Sequence, residues 1–512
     1  MEIVKNFYED STFKWQNKKP LQTSVYRDFK NWLGAQNRNR TCTPLRKPDF
    51  ESSASTNSAI WAIGLPGVVA WGSKCIYSLP NTQKVFLAFG NDVITGASAN
   101  TLLYLARKLI SMIRIGLIRE RKSPPDTRVA LTPEQCAAVM QNNPGLEIIV
   151  EPSPNRCFPD SAYAEAGITV QEDLSECDIL LGIKEVPVDK LMEGKTYMFF
   201  SHTKKKQPYN QKLMYALIEK RIRMIDYECL THVDEQRILG FGLHAGIVGA
   251  HNGLLTYGRK WGLYDLPAAH SVDNFADLVR VYEQVKLPNI KIVLTGSGKV
   301  AAGIIEVMTH IDVEPVEPED FLTHQYDYPV YTHLKGGDLY ARKDNDLFSR
   351  DDFHANPTIY KCLFSKYIPQ TDILMNGIYW DADIARLFEK PDIQRNDWRI
   401  SVISDITCDI DGSVPINVGA STIADPVYGI ERKTGNKTEP FRKTMDVIDV
   451  MAVDNLPNEL PKDASQYFGV HFEKFVLNEL LSDNSDVIRR ATICEDGKLT
   501  PAYEYLSDYA YK

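Results

Sequence analysis

An α/β fold, with largely parallel sheets covered on both faces by helices, is what the sequence predicts. From Met112 onward, short apolar runs alternate with helical segments. Runs that are apolar on both faces belong to strands buried on both sides, as in parallel sheets. A glycine-rich turn, Gly296 to Ala301, also stands between a strand and a helix, where a dinucleotide-binding unit requires it. At 512 residues the chain is long enough for two or three domains, each with its own core.

In chain order, "IRIGLIRE" reads as the first regular strand. "TPEQCAAVMQNN" reads as a helix, with Thr132 as N-cap and Pro133 at the first helical position. "LEIIVEPS", "CDILLGIKE", "TYMFFSHT" and "IRMIDYECL" follow as strands, with "NQKLMYALIEKR" as an intervening helix. Gly240 to Leu263 reads as a long helix whose small residues suit close helix contacts.

The strand Lys291 to Thr295 then enters the G-x-G-x-x-A turn, which opens a helix over Val300 to His310. The first glycine permits the tight turn, the second lets backbone approach a pyrophosphate, and Ala301 packs helix on strand. Glu317 lies 21 residues after Gly296, where a ribose-binding carboxylate is expected. After an irregular insertion at 322–370, "TDILMNGIYW" and "WRISVISDITCD" read as later strands of the same sheet, ending in Asn376 and Asp405. Ligands of such sheets sit at the carboxyl ends of strands. Gly296, Ser297, Gly298, Lys299, Val300, Glu317, Asn376, Gly377 and Asp405 are therefore the candidate set for binding NAD or NADP.

Composition narrows the function. A net charge of -9 argues against a nucleic-acid partner, which demands a basic face. The nine cysteines are scattered, with no CxxC pair and no Cys/His cluster at zinc spacing, so no metal is expected. They suit buried thiols in a reducing cytoplasm. The most apolar stretch, Ala59 to Trp71, is too short for a membrane span and contains Pro66. Glu9 and Asp10 fall where the apolar core of a signal peptide would begin.

Charge is also uneven. Residues 1–111 hold 14 basic and 7 acidic side chains, which leaves 44 basic and 60 acidic in residues 112–512. Within the basic part, Gly34 to Ala59 lacks helical or strand periodicity, and it resembles the conceptual translation of a transfer-RNA gene. Residues 1–111 are therefore expected to be a non-native extension, with the native product starting at Met112. The alternative is a genuine basic extension or targeting segment.

Eight segments, in matching order, carry a family likeness. They are "RERKSPPDTRVALTP", "ILLGIKEVP", "KTYMFFSHTKKKQ", "RMIDYECL", "TGSGKVAAG", "LMNGIYW", "ISDITCDIDGSVP" and "VDNLPNELPKDASQYFG". Together they resemble lysine-forming saccharopine dehydrogenase, and most of all the lysine-ketoglutarate reductase half of aminoadipic semialdehyde synthase, within the alanine dehydrogenase and transhydrogenase superfamily. The resemblance implies two Rossmann-like domains flanking a cleft, with the chain returning at its C-terminus to the first. That assigns 112–240 plus 432–512 to a substrate domain and 241–431 to the NAD(P)-binding domain.

The implied reaction is reversible oxidation of saccharopine by a nicotinamide cofactor to an imine, which hydrolyses to lysine and 2-oxoglutarate. Carried over by motif, the acid/base residues fall on Lys184 and His202. Standing alone, a histidine at a strand end or a lysine after a buried strand is more often structural. Arg128 matches the position that holds a substrate carboxylate in the wider family, and Lys205 matches the family's lysine after the histidine. Arg237 is a further candidate for a substrate carboxylate, and Glu228 and Glu185 could pair with the substrate's amino groups or tune Lys184; each of these, and Lys205, would as readily form a surface ion pair. Glu317 favours NAD by electrostatics, whereas "VEPVEPEDF" resembles the stretch of the NADPH-using reductase half, so the choice stays open with NAD slightly favoured. The rival readings are an alanine dehydrogenase-like enzyme and an inactive nucleotide-binding regulator. The partners expected are small molecules, with no membrane and an oligomeric state that the sequence leaves open.

Overall fold

The structure is a computed structural model that describes residues 68–71, 74–78, 85–89, 92–94 and 112–511. The chain divides into two units, Met1–Leu105 and Ala106–Lys512. In the first unit β1 (Val68–Trp71), β2 (Lys74–Ser78), β3 (Val85–Phe89) and β4 (Asp92–Ile94) form an antiparallel sheet in sequence order. The segment Gly34–Ala59 lies outside the described residues.

The second unit holds two eight-stranded sheets. The first begins with β5 (Ile113–Leu117), β6 (Leu146–Val150), β7 (Thr169–Val170), β8 (Ile179–Leu181), β9 (Thr196–Phe199) and β10 (Arg223–Asp226), all joined in parallel. The helix between β5 and β6 forms at Pro133–Asn142, where the sequence predicted it. Thr132 accepts the Gln135 N–H and the Gln135 side chain answers to the Thr132 N–H, a complete capping box.

The chain then crosses to the second sheet along the helix Gly242–Trp261. That sheet comprises β11 (Lys291–Thr295), β12 (Glu314–Pro315), β13 (Val330–Leu334), β16 (Ile373–Asn376), β17 (Val402–Asp405), β18 (Val427–Glu431), β19 (Lys437–Thr438) and β20 (Val447–Met451). Between β13 and β16, the short strands β14 (Tyr340–Arg342) and β15 (Tyr360–Cys362) pair with each other. The second sheet is buried on both faces. Ile292, Leu294, Ile373 and Met375 enter one core with Val248, Leu254 and Ile304 of the flanking helices. Val293, Leu374 and Ile403 enter another with Phe321, Phe364 and Trp398. This double burial is why these strands read as continuous apolar runs. Each such side chain contributes about 1.5–3 kcal/mol when fully buried.

Two boundaries differ from the sequence reading. The return to the first lobe was expected at residue 432, yet β19 and β20 still belong to the second sheet, β20 lying parallel to β17 and antiparallel to β18. The return follows Met451. The insertion expected at 322–370 contains β13, which pairs along its whole length with β11, so the irregular part starts only after Leu334. Its Tyr, Thr and His residues hide a strand that is mostly buried. After the return, the helix Pro461–Phe472 packs on the first lobe, and β21 (Thr492–Glu495) with β22 (Lys498–Leu499) extend its sheet. Both sheets are thus mixed: β21 and β18 are antiparallel additions to parallel centres. No helix among the described residues is long and apolar enough to cross a membrane.

Candidate active site

The strand order of the first sheet, β10-β9-β8-β5, lines up four carboxyl ends. Lys184 follows β8, His202 follows β9, Glu228 follows β10, and Glu120 follows β5. Glu185, next to Lys184, accepts a hydrogen bond from His202 Nδ1 at 2.6 Å and from Asn210 Nδ2 at 3.2 Å, and pairs with Lys122 at 3.1 Å. Burial acts to raise the Glu185 carboxyl, but the His202 hydrogen bond and the Lys122 charge outweigh it and hold it below the usual carboxylate range. In the neutral ring, an Nδ1–H donated to this carboxylate leaves Nε2 as the acceptor.

His202 sits at φ 51°, in the left-handed region. A network holds it there. Buried Asp226 accepts the N–H and the hydroxyl of Ser201 and the N–H of Glu228, and the Ser201 hydroxyl meets that of Thr203 at 2.7 Å. Backbone in this region costs on the order of 1–3 kcal/mol and persists where its surroundings over-determine it.

Lys184 has its pKa lowered, first by burial and then by the charges of Arg128 and Lys122, with Asp126 and Glu185 opposing. Arg128 is placed differently from expectation. Its guanidinium is 4% exposed and forked onto Asp126 at 2.9 and 2.6 Å, bonded to Asn455 at 2.9 Å and lying 4.1 Å over the Phe241 ring. It presents no free fork to a ligand. Glu228 and Arg237 pair with each other at 2.9 Å. Lys205 is exposed and makes no ion pair among the described residues; burial raises the carboxyl of Asp409, which follows β17 in the second lobe, and the Lys205 charge opposes that rise. Lys206 pairs with Asp508 near the C-terminus.

In the second lobe the glycine turn behaves as its sequence implied. Gly296 has φ 104°, and a Cβ there would lie 2.4 Å from the Gly377 carbonyl. A Cβ on Gly298 would meet nothing within 4 Å, so the protein leaves the space over this backbone open. That is the cradle a pyrophosphate needs at the start of the helix Lys299–His310. The residues present therefore fit a dinucleotide. Val300 packs against Gly377 and Gly246. Lys299 reaches the Ile238 carbonyl of the first lobe at 3.5 Å and lies over the Tyr467 ring, which joins the two carboxyl edges.

Glu317, exposed at the start of a short helix, shares a hollow with His333, Lys335 and Asp338. His333 Nε2 also donates to the Gly296 carbonyl at 2.6 Å. Asn376 and Asp405 are fully buried and bonded to each other at 2.8 Å, with Thr295, Thr407, Ser413 and Asn417 as further partners. They brace the loops beneath the site instead of reaching into it. Among the described residues, no group of three or more His, Cys, Asp or Glu is gathered to hold a metal.

Glu120, Asp126, Lys122 and His244 escaped the sequence reading. His244, buried beside Arg128 with Nδ1 unpartnered, has its pKa pushed down to about 4, first by burial and then by Arg128. The rule that selected Asn376 and Asp405, a polar residue at a carboxyl strand end, also applies to Glu120.

Residues 116–248 match the family model described as Alanine dehydrogenase/PNT, N-terminal domain. Most of the matched stretch lies in the first lobe. Beyond it, the chain is 29% identical over 444 residues to alpha-aminoadipic semialdehyde synthase of Arabidopsis thaliana, covering 77% of this chain and 41% of that one. It is 24% identical over 394 residues to saccharopine dehydrogenase [NAD(+), L-lysine-forming] of Yarrowia lipolytica, covering 73% of this chain and 94% of that one. The chain spans less than half the length of the synthases it matches. A solved structure of L-alanine dehydrogenase superposes with a TM-score of 0.53 at 15% identity, covering 78% of this chain and all of that one, which shows a shared fold.

Proposed function

We propose that the chain interconverts saccharopine and L-lysine plus 2-oxoglutarate by exchanging a hydride with a nicotinamide cofactor, NAD favoured, with Lys184 and His202 as its acid/base pair. The observation that carries this reading is the juxtaposition of Lys184, whose hold on its proton is weakened, with Glu185, which orients His202. The Yarrowia lipolytica relative, named for NAD and lysine formation, supports the substrate class.

When bound, the nicotinamide accepts or returns the hydride. Lys184, as the neutral amine, takes the proton from the secondary amine of saccharopine, so that a lone pair can follow the departing hydride into a C=N bond. His202, through Nε2, takes a proton from the water that adds to that carbon. Protonated Lys184 then returns its proton to the nitrogen as the C–N bond breaks, and the new hydroxyl passes its proton to solvent as the C=O forms, releasing lysine and leaving 2-oxoglutarate. A lysine with a lowered pKa suits the first step, because its neutral form is reached more readily. Because Arg128 is bound to Asp126, the substrate's carboxylates fall to Lys205 and to Arg237, once Arg237 is released from Glu228.

The test is oxidation of NADH in the presence of L-lysine and 2-oxoglutarate, with ammonia and pyruvate as control. Turnover with the first pair alone supports the proposal. Turnover with the control alone assigns an alanine dehydrogenase-type reaction, and turnover with neither, despite measurable dinucleotide binding, removes the enzymatic reading.

A further inference from the structure

Glu120 is the titratable group at the carboxyl edge that the proposed reaction leaves unused. Its carboxylate accepts two backbone hydrogen bonds, from the Ile183 N–H at 2.6 Å and the Lys184 N–H at 2.9 Å. Among the described residues it has no ion pair and no other hydrogen bond. The groups that face it are Asp126 and Arg128 from the loop after β5, Lys184 from the end of β8, and Tyr227 from the end of β10. The Tyr227 hydroxyl is buried without a hydrogen-bond partner.

A structural tether between β5 and β8 does not require a charge. Here the two N–H groups bond to different oxygens, Ile183 to Oε1 and Lys184 to Oε2, so both bonds are at full strength only with the ionised carboxylate. Protonation turns one of these oxygens into a donor, and the backbone that launches Lys184 loses half of its anchor. We infer that Glu120 is a positioning residue for Lys184, its carboxylate fixing the direction in which the Lys184 side chain leaves its strand and releasing that hold when it takes up a proton. The inference rests on the reading of Lys184 as the proton carrier only for its catalytic consequence, not for the tether. Burial pushes the Glu120 carboxyl up, aided by Asp126 and opposed by the two N–H groups and Arg128, to about 7, so the hold switches within the neutral range.

The test uses the full chain labelled with 15N-lysine, the Lys184 amide being identified by its absence in Lys184→Arg. Between about pH 5.5 and 8.5, a span that brackets a raised carboxyl, the Lys184 amide signal should titrate with a midpoint near 7 and move downfield as Glu120 ionises. In Glu120→Gln the titration should vanish. An amide that stays still in the wild-type chain, or titrates equally in Glu120→Gln, overturns the inference. Should Glu120→Gln fail to fold, Glu120→Asp, whose shorter carboxylate reaches one N–H only, should shrink the titration; an unchanged curve overturns it. None of these readouts needs turnover, so a failed assay with lysine and 2-oxoglutarate would remove the proposed function and leave the tether standing. Where turnover is present, Glu120→Gln should lower kcat at least tenfold at alkaline pH without changing dinucleotide affinity.

Discussion

At the end of β8, burial and the cations Arg128 and Lys122 work against the charge on Lys184, while Asp126 and Glu185 work for it. The balance lowers its pKa, so the neutral amine forms at lower pH than in a free lysine. For saccharopine oxidation the base form is the active one, and kcat/KM should rise with pH and level off before the ordinary lysine range. Lys122 is 45% exposed and pairs with Glu185, so Lys122→Met should fold. It removes a cation that opposes the Lys184 charge and leaves the Glu185 carboxylate without that counter-charge, and both changes raise the Lys184 pKa. The alkaline limb should shift to higher pH; a pH-rate profile unmoved by the substitution would separate that limb from Lys184. Lys184→Met should lower turnover by roughly 10²–10⁴-fold, with dinucleotide affinity by fluorescence titration unchanged. At the cofactor end, Glu317 and Asp338 outweigh Lys335 in the hollow beyond β13, which disfavours a 2'-phosphate. Glu317→Ser should raise the preference for NADP over NAD by about tenfold, the scale of one charge-assisted contact, read as the ratio of the two dissociation constants.

The helices Gly242–Trp261 and Lys299–His310 cross backbone to backbone. A Cβ on Gly246 would lie 2.0 Å from the Val300 carbonyl, and one on Gly303 equally close to that of Leu243. Neither atom can retreat as a flexible side chain would. Gly303→Ala should therefore destabilise the chain by roughly 1–3 kcal/mol or more, measured as a lower denaturation midpoint, and should weaken dinucleotide binding because Val300 belongs to the turn. At this scale the sequence was readable where one force dominated. The capped helix after Thr132, the small-residue helix and the glycine turn each carried a local signal that packing later agreed with. β13 and β20 were not readable. Tyr331, Thr332 and His333 present polar atoms that a hydrophobicity pattern counts as exposed, and Asp449 interrupts the run of β20. Yet Asp449 is buried because Lys260 on the long helix pairs with it at 3.4 Å, a partner nearly two hundred positions away that no local window sees. The same holds at the site. Lys184 and His202 came from motif resemblance, whereas the capture of Arg128 by Asp126 and Asn455 depends on a contact across more than three hundred residues.

On the scale of the whole molecule, the two lobes are joined by the crossings after β10 and after β20, and the second crossing also holds the site together. Thr127 donates its N–H and its hydroxyl to Asn458 Oδ1, at 2.8 and 2.9 Å, and Asn458 Nδ2 donates to the Pro125 carbonyl at 3.3 Å. Asn455 bonds both Arg128 and Asp126. The loop that carries the electrostatic neighbours of Lys184 is therefore fastened to the segment that has just left the second sheet, and any change in the angle between the lobes is felt at Asp126. Asn458 touches neither the glycine turn nor Lys184 directly. Asn458→Ala removes three hydrogen bonds, each with a net worth of about 0.5–1.5 kcal/mol, and leaves the nucleotide lobe intact. Turnover should fall several-fold and the alkaline limb of the pH-rate profile should shift, because Asp126 and Arg128 no longer hold fixed positions beside Lys184. Dinucleotide affinity should stay within twofold of the wild-type chain. Equal losses in turnover and dinucleotide affinity would mean instead that the crossing supports both lobes alike, and that the field around Lys184 is set by the first lobe alone.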